Sequence, residues 1–255
     1  VHIGTRIAAA QLASVSRHRR VVAAAPFTGL LTVDGPDFMS YAVAASPGSA
    51  VHEVTEALAV LRAAFAPGRV RFELVEEASP GAVDALVAAG VEVDKRMPLL
   101  TMDPADLTLP PTPAGVVVEL VTTAEQATQA RTVANAAFGM SLGDGDGTAP
   151  PPPVDGGSVL ATLDGVPVAA ASWTAVADEV TEIVGVATLP SHQRRGLGAL
   201  VTAHAVQAGW RLAGATLPWL TPGDDGADRV YRRLGFVTRA NAVHLADPAG
   251  PAESA

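Results

Sequence analysis

The run Gln193-Arg194-Arg195-Gly196-Leu197-Gly198 is where this chain concentrates residues able to do chemistry. It lies between a β-branched stretch and a helical one. A helix N-terminus carries unpaired N–H groups and partial positive charge, and glycines let a phosphate approach the backbone closely. Arg194 and Arg195 add charge that pairs with phosphate oxygens, a reading favoured here over ordinary surface charges. The run has no Gly-Lys-Ser/Thr of a Walker loop, and two glycines are too few for a dinucleotide fingerprint. Taken alone it indicates an anion site and no more.

Strands and helices alternate around it. Val116–Val121 is a short β-branched run, and Thr123 caps a helical stretch reaching Ala137. Ser158–Leu163, Val166–Ala175 and Val180–Thr188 read as consecutive strands, with Asp164-Gly165 turning the first hairpin. Apolar residues at helical spacing (Leu197, Leu200, Val201, Ala205, Ala208) predict a helix over His192–Trp210. Thr216–Leu220 then reads as a strand, Ala227–Leu234 as a short helix, and Phe236–Leu245 as extended. The fold class is α/β, a mixed sheet with flanking helices.

The first half repeats part of this order. Ser40–Pro47 parallels Val184–Pro190, and each is followed by a helix (51–65; 192–210), a strand (69–75; 216–220), a short helix and an extended pair. This favours two tandem copies over two unrelated α/β units. Pro110-Pro111-Thr112-Pro113 interrupts both helix and strand, so the expected domains are 1–110 and 111–255. Residues 143–157, rich in Gly, Asp and Pro, read as a long loop in the second half, either a lid over a site or a disordered insertion.

The second half resembles the GNAT superfamily of acyl-CoA-dependent N-acetyltransferases. Gln193-Arg194-Arg195-Gly196-Leu197-Gly198 fits every position of that family's Gln/Arg-x-x-Gly-x-Gly/Ala motif. Val186-Ala187-Thr188-Leu189-Pro190 precedes it, and Tyr231-Arg232-Arg233-Leu234-Gly235-Phe236 fits a second block. The first half lacks the Arg-Arg-Gly-x-Gly run and has Leu86 where Tyr231 stands, so it resembles a degenerate copy. The resemblance implies acetyl-CoA as co-substrate, bound in the second half alone. Val186 and Thr188 would pair with the pantetheine arm through their backbones. Gln193, Arg194, Arg195, Gly196, Leu197, Gly198 and Ala199 would hold the pyrophosphate.

The resemblance also implies roles for two side chains. Glu182 matches a position of a catalytic base, which an amine nucleophile needs because it attacks only when neutral. Its other reading is a solvated strand carboxylate, and Glu179 and Asp178 are the alternative bases. Tyr231 would protonate the departing thiolate, or else pack on the sheet. Asp224 stands where many relatives carry Asn, which puts that side-chain contact to the cofactor in question. His192 reads as a loop residue at the helix entry, and His204 as a packing or surface histidine. Trp173 and Trp219 could wall an acceptor pocket, with core packing at least as favoured.

Composition limits the remaining options. The 255 residues include no cysteine, which excludes disulfides, thiolate metal sites and thiol nucleophiles. The six histidines form no metal-ligating pair on a helix face, and no metal is expected. A net charge of −9 disfavours nucleic acid or an anionic membrane as partner, and the Arg17, Arg19, Arg20 patch reads as a solvated helix end. The absence of a long apolar run or a leader-like opening leads us to expect a cytoplasmic protein. Lys and Arg are absent from Thr132 through Gln193. That stretch holds Asp144, Asp146, Asp155, Asp164, Asp178, Glu179 and Glu182. Such a mouth would favour a cationic acceptor amine, on a small molecule or a protein, over an anionic one. An exposed sheet edge would allow a homodimer. Two functions follow from the sequence: an acetyl-CoA-dependent N-acetyltransferase working through a ternary complex, or a non-catalytic acyl-CoA-binding module.

Overall fold

The computed structural model describes residues 2–33, 37–140 and 156–248. In chain order the elements of the first part are α1 (Ile3–Val15), β1 (Arg20–Ala24), β2 (Phe27–Leu31), β3 (Tyr41–Ala44), α2 (Thr55–Phe65), β4 (Arg71–Val75), α3 (Ala82–Ala88) and β5 (Glu92–Thr101). There follow β6 (Val116–Leu120), α4 (Ala124–Phe138), β7 (Gly157–Leu163), β8 (Val166–Trp173), β9 (Val180–Thr188), α5 (Leu197–Ala213), β10 (Leu217–Leu220), α6 (Asp225–Arg233) and β11 (Val237–Ala246).

The chain forms two compact units, Val1–Leu100 with Thr238–Ala255, and Thr101–Val237. The division suggested by the prolines at 110–113 falls nearby, but the last strand belongs with the first unit. Its register explains why. Val243 and Leu245 of β11 lie opposite Leu74 and Phe72 of β4 in an antiparallel pair. All four are buried in one cluster with Leu58, Leu61, Phe65 and Leu86. Cutting the chain at 110 would leave that apolar face exposed in both pieces.

Within the first unit the strand order is β1-β2-β3-β4-β11-β5. Phe27 and Phe72 meet edge to face at its centre, 5.0 Å between ring centroids. Asp247, just past β11, is almost fully buried and receives two hydrogen bonds from Arg62, at 2.5 and 3.0 Å. Its carbonyl accepts another from Arg69.

Within the second unit the order is β10-β9-β8-β7-β6, antiparallel except for the parallel pair β9–β10. Helix α4 starts at a capping box: the Thr123 hydroxyl accepts from the Gln126 amide while the Gln126 side chain accepts from the Thr123 amide. It ends at Gly139 in the left-handed conformation. Its alanines cover Leu160, Ala170 and Ala187 on one face of the sheet. The opposite face carries Val159, Ala171 and Trp173, and α5 packs there, with Gly209 meeting the Trp173 indole. The expected helix over His192–Trp210 is shorter at its start: α5 begins at Leu197, because Arg194 (φ 62°) and Gly196 (φ 80°) take left-handed conformations that no helix continues through. Strands β1 and β2 carry no strong alternation, so their sequence does not mark them as strands.

Candidate functional site

Strand β9 holds the site because it loses its partners in an ordered way. Its parallel ladder with β10 ends at the pair Trp219↔Glu182, while β9 runs on to Thr188. On its other side the ladder with β8 slips. Val184 pairs with Ser172 and Ala187 with Ala170, so Gly185 and Val186 together oppose Ala171. This is a β-bulge, with Gly185 at φ 60° supplying the left-handed residue.

The bulge reverses which peptide groups face which neighbour. Before it, Glu182 directs both its N–H and its C=O at Thr174 on the β8 side. After it, the Leu189 N–H reaches the Val168 carbonyl, again on the β8 side. Alternation then turns the backbone groups of Thr188 and Val186 the other way, toward the edge β10 has left. An extended ligand could pair with that edge as a strand would.

The loop after β9 presents donors to the same region. Gly196 is the N-cap of α5, no side chain caps the helix, and its first turn holds no acid. The N–H groups at the start of the helix therefore keep their capacity for an anion. A Cβ on Gly196 would meet no atom within 4 Å, and one on Gly198 would meet only the Thr188 hydroxyl, at 3.8 Å. The space before these amides is open. Gln193, Arg194 and Arg195 precede them on the exposed turn, and Leu197 is buried as the anchor of the helix.

Glu182 is half-buried on β9. It sits where β9 parts from β10. Asp178 and Glu179, the alternative bases, occupy the β8–β9 turn with φ values of 48° and 60°. They are exposed, about 10 Å further along the strand, and the Glu179 carboxylate accepts from the Thr216 hydroxyl. Asp164 turns the β7–β8 hairpin, at the other end of β8. The acids of the Lys- and Arg-free stretch are therefore split between two ends of the sheet. Asp144, Asp146 and Asp155, with most of the 143–157 loop, lie outside the described residues.

Tyr231 comes from α6, whose N-cap is Asp224; the Asp224 carboxylate accepts from the Ala227 amide at 2.8 Å. That capping duty occupies the Asp224 carboxylate. Tyr231 is buried, edge to face with Phe236 at 6.1 Å. Burial, and then the negative charge of Asp224, push its phenol up to about 12.

Two expectations left open resolve toward packing. Trp173 is buried against Gly157 and Gly209, and Trp219 is buried in the sheet. His204 lies in a cleft of ≈ 210 Å³ between α5 and Val118, Leu120 and Val159, and burial lowers its pKa. Among the described residues no group of three His, Asp or Glu could hold a metal. The sequence reading missed Thr174, Ser158 and Ser172. The two serines share a hydrogen bond of 2.7 Å across β7 and β8, and Ser172 is paired with Val184, two residues from Glu182. No spacing rule exposes them, because only the register brings them beside β9.

Residues 136–236 match the family model of the acetyltransferase (GNAT) family. The chain is 50% identical to a solved GCN5-related N-acetyltransferase from Kribbella flavida, over 98% of this chain and 97% of that one, with a TM-score of 0.87. The chain belongs to the GNAT family. A GNAT-family structure from Novosphingobium aromaticivorans, at 22% identity over 96% of each chain, shares the fold with a TM-score of 0.57. So does a tandem GNAT protein from the clavulanic acid biosynthesis pathway, at 14% identity over 89% of this chain and 79% of that one, TM-score 0.59. No curated protein sequence matches. As a GNAT protein, the chain is an acyltransferase of a family that draws its acyl group from acyl-CoA. Among the described residues no helix is long and apolar enough to cross a membrane.

Proposed function

We propose that this GNAT protein transfers an acetyl group from acetyl-CoA to a primary amine, with donor and acceptor bound together. The observation that carries the reading is the open β9 edge running into an uncapped α5 N-terminus, a shape that fits an extended arm ending in a pyrophosphate. Val186 and Thr188 pair with the arm. The amides from Arg194 to Ala199 and the side chains of Gln193, Arg194 and Arg195 take the phosphates. Bound acetyl-CoA supplies the activated thioester.

Glu182 accepts a proton from the incoming ammonium, directly or through one water, and leaves a neutral amine. The Val186 N–H points at the charge that grows on the thioester oxygen. Tyr231 keeps its proton at neutral pH and delivers it toward the departing sulfur. The acyl–sulfur bond breaks as the acyl–nitrogen bond forms, the attacking nitrogen's second proton replaces the one Tyr231 gave up, and the products are an amide and a thiol. Acceptors carrying positive charge suit the site, given Glu182, Asp178 and Glu179 at the same end of the sheet. The first unit serves as a structural partner, and a homodimer is the proposed assembly.

Calorimetry with acetyl-CoA tests the cofactor site, and thiol release tests turnover across an amine panel. The chain has no cysteine, so the thiol assay has no protein background. Acetyl-CoA binding without turnover of any amine would favour a non-catalytic acyl-CoA-binding module. Absence of binding would refute both readings.

A further inference from the structure

Glu182 stands at the residue where β9 exchanges β10 for β8 as its strand partner. On the β10 side it forms the last pair of the ladder, with Trp219. On the β8 side the strand itself ends at Trp173, and Thr174 closes the ladder in an unusual way. The Thr174 N–H donates to the Glu182 carbonyl at 2.9 Å, as in a regular antiparallel pair. The reciprocal bond is made by a side chain: the Glu182 N–H donates to the Thr174 hydroxyl at 3.0 Å. The Thr174 carbonyl, freed from the ladder, accepts from the Thr181 hydroxyl at 2.7 Å. The two hydroxyls lie 3.4 Å apart.

One assignment of hydrogens satisfies all four groups. Thr174 Oγ1 accepts from Glu182 and donates to Thr181 Oγ1, which donates to the Thr174 carbonyl. Thr181 is 2% exposed, so this ring is shielded from water on one side. We infer that Thr174, with Thr181, is a positioning residue that fixes the backbone of Glu182 at the point where β9 splays from β10. The hydroxyl clamp lets β8 leave the ladder after Trp173 while both peptide groups of Glu182 stay held. Displacing a reacting group by about 1 Å costs on the order of 100-fold in rate, so a fixed backbone matters at this residue.

This inference rests on Glu182 being the base, and the test separates the two. Thr174→Val keeps the branched shape and removes the acceptor; Thr174→Ser keeps the hydroxyl. With an alkylamine acceptor that is protonated at pH 7.5, Thr174→Val should lower kcat at least tenfold, with KM for acetyl-CoA within twofold. Thr174→Ser should stay within twofold of wild type in both. With hydroxylamine, a small nucleophile already neutral at that pH, the Thr174→Val deficit should shrink to less than threefold, because no proton must be removed first. Amide hydrogen exchange gives a reading independent of any acceptor: the Glu182 N–H should exchange at least tenfold faster in Thr174→Val and unchanged in Thr174→Ser. An equal loss with both nucleophiles, unchanged exchange, or full kcat beside a crippled Glu182→Gln would overturn the inference. Full turnover by Glu182→Gln would instead remove the base reading on which it depends.

Discussion

Replacing Gly198 by Glu should strengthen the fold while removing the cofactor site. Gly198 is the second residue of α5, and a Cβ there has room, its nearest neighbour being the Thr188 hydroxyl at 3.8 Å. Glycine inside a helix costs roughly 0.5–1 kcal/mol relative to a residue with a Cβ. A carboxylate in the first turn adds about 0.3–1 kcal/mol through the helix dipole, and this turn holds no acid at present. The variant should therefore gain about 1–2 kcal/mol, or roughly 2–8 °C in Tm for a chain of this size. The same carboxylate would stand where the pyrophosphate is proposed to bind. Two like charges about 4 Å apart near a protein surface repel by roughly 4 kcal/mol. Even half of that weakens CoA by ~30-fold, and the steric block adds to it. Scanning calorimetry and titration calorimetry on one preparation measure both effects. A folded Gly198→Glu protein that binds CoA within tenfold of wild type would refute the placement of the phosphates on this helix.

Three further outcomes are expected. Tyr231→Phe should lower kcat and leave CoA affinity unchanged; since the phenol is pushed up to about 12, wild-type activity should show no loss from tyrosine ionisation up to about pH 11, as a pH–rate profile would reveal. Burial raises the Glu73 carboxyl from its ordinary 4.5 to about 7, with Arg19 opposing, so the fold favours the protonated form; the contribution of Glu73 to stability should be fully present below about pH 4.5, fall by up to about 3 kcal/mol as pH rises to about 7, and stay flat above. Glu73→Gln should abolish that slope in urea melts at pH 5 and 8. Asp247→Ala should cost about 2 kcal/mol by urea denaturation, since it removes a nearly buried carboxylate held by two Arg62 hydrogen bonds while Arg62 itself can turn to water.

The second unit was legible in the sequence because its signals are local. Strands β7 to β9 show as β-branched runs bounded by turn residues, α4 shows Thr123 as its cap, and Gln193–Gly198 shows its glycines. What escaped is set by pairing between distant residues. The bulge at Gly185 and Val186 is invisible without the register of β8, although it turns Val186 toward the open edge. Thr174 and Thr181 read as ordinary strand-end threonines until the Glu182 amide is seen to point at one of them. The membership of β11 in the first unit was equally hidden, because Val243 and Leu245 advertise a buried face and not the strand that buries it. Proline-rich spacing marked a change in the chain near 110, yet long-range pairing carried the last strand back past it.

The two units also differ in a way that bears on where cofactor can bind. Each contains a parallel pair joined by a helix, β3-α2-β4 in the first and β9-α5-β10 in the second. If the two helices began alike, either could offer its amides to a phosphate. They do not begin alike. At α2 the Glu53 carboxylate folds back onto the helix start and accepts from the amides of Val54 and Thr55 at 2.7 and 2.6 Å. The Thr55 bond above all holds that carboxyl below its ordinary value, so it remains an anion at neutral pH. The first unit thus carries its own negative group where the second leaves Gly196 uncapped and its amides open. A phosphate approaching α2 would have to displace a tethered carboxylate, whereas one approaching α5 meets donors that no side chain has claimed. This asymmetry supports a single cofactor site per chain. It also gives a physical reason, beyond the missing glycines, why the first unit would be retained for its fold and the second for its chemistry.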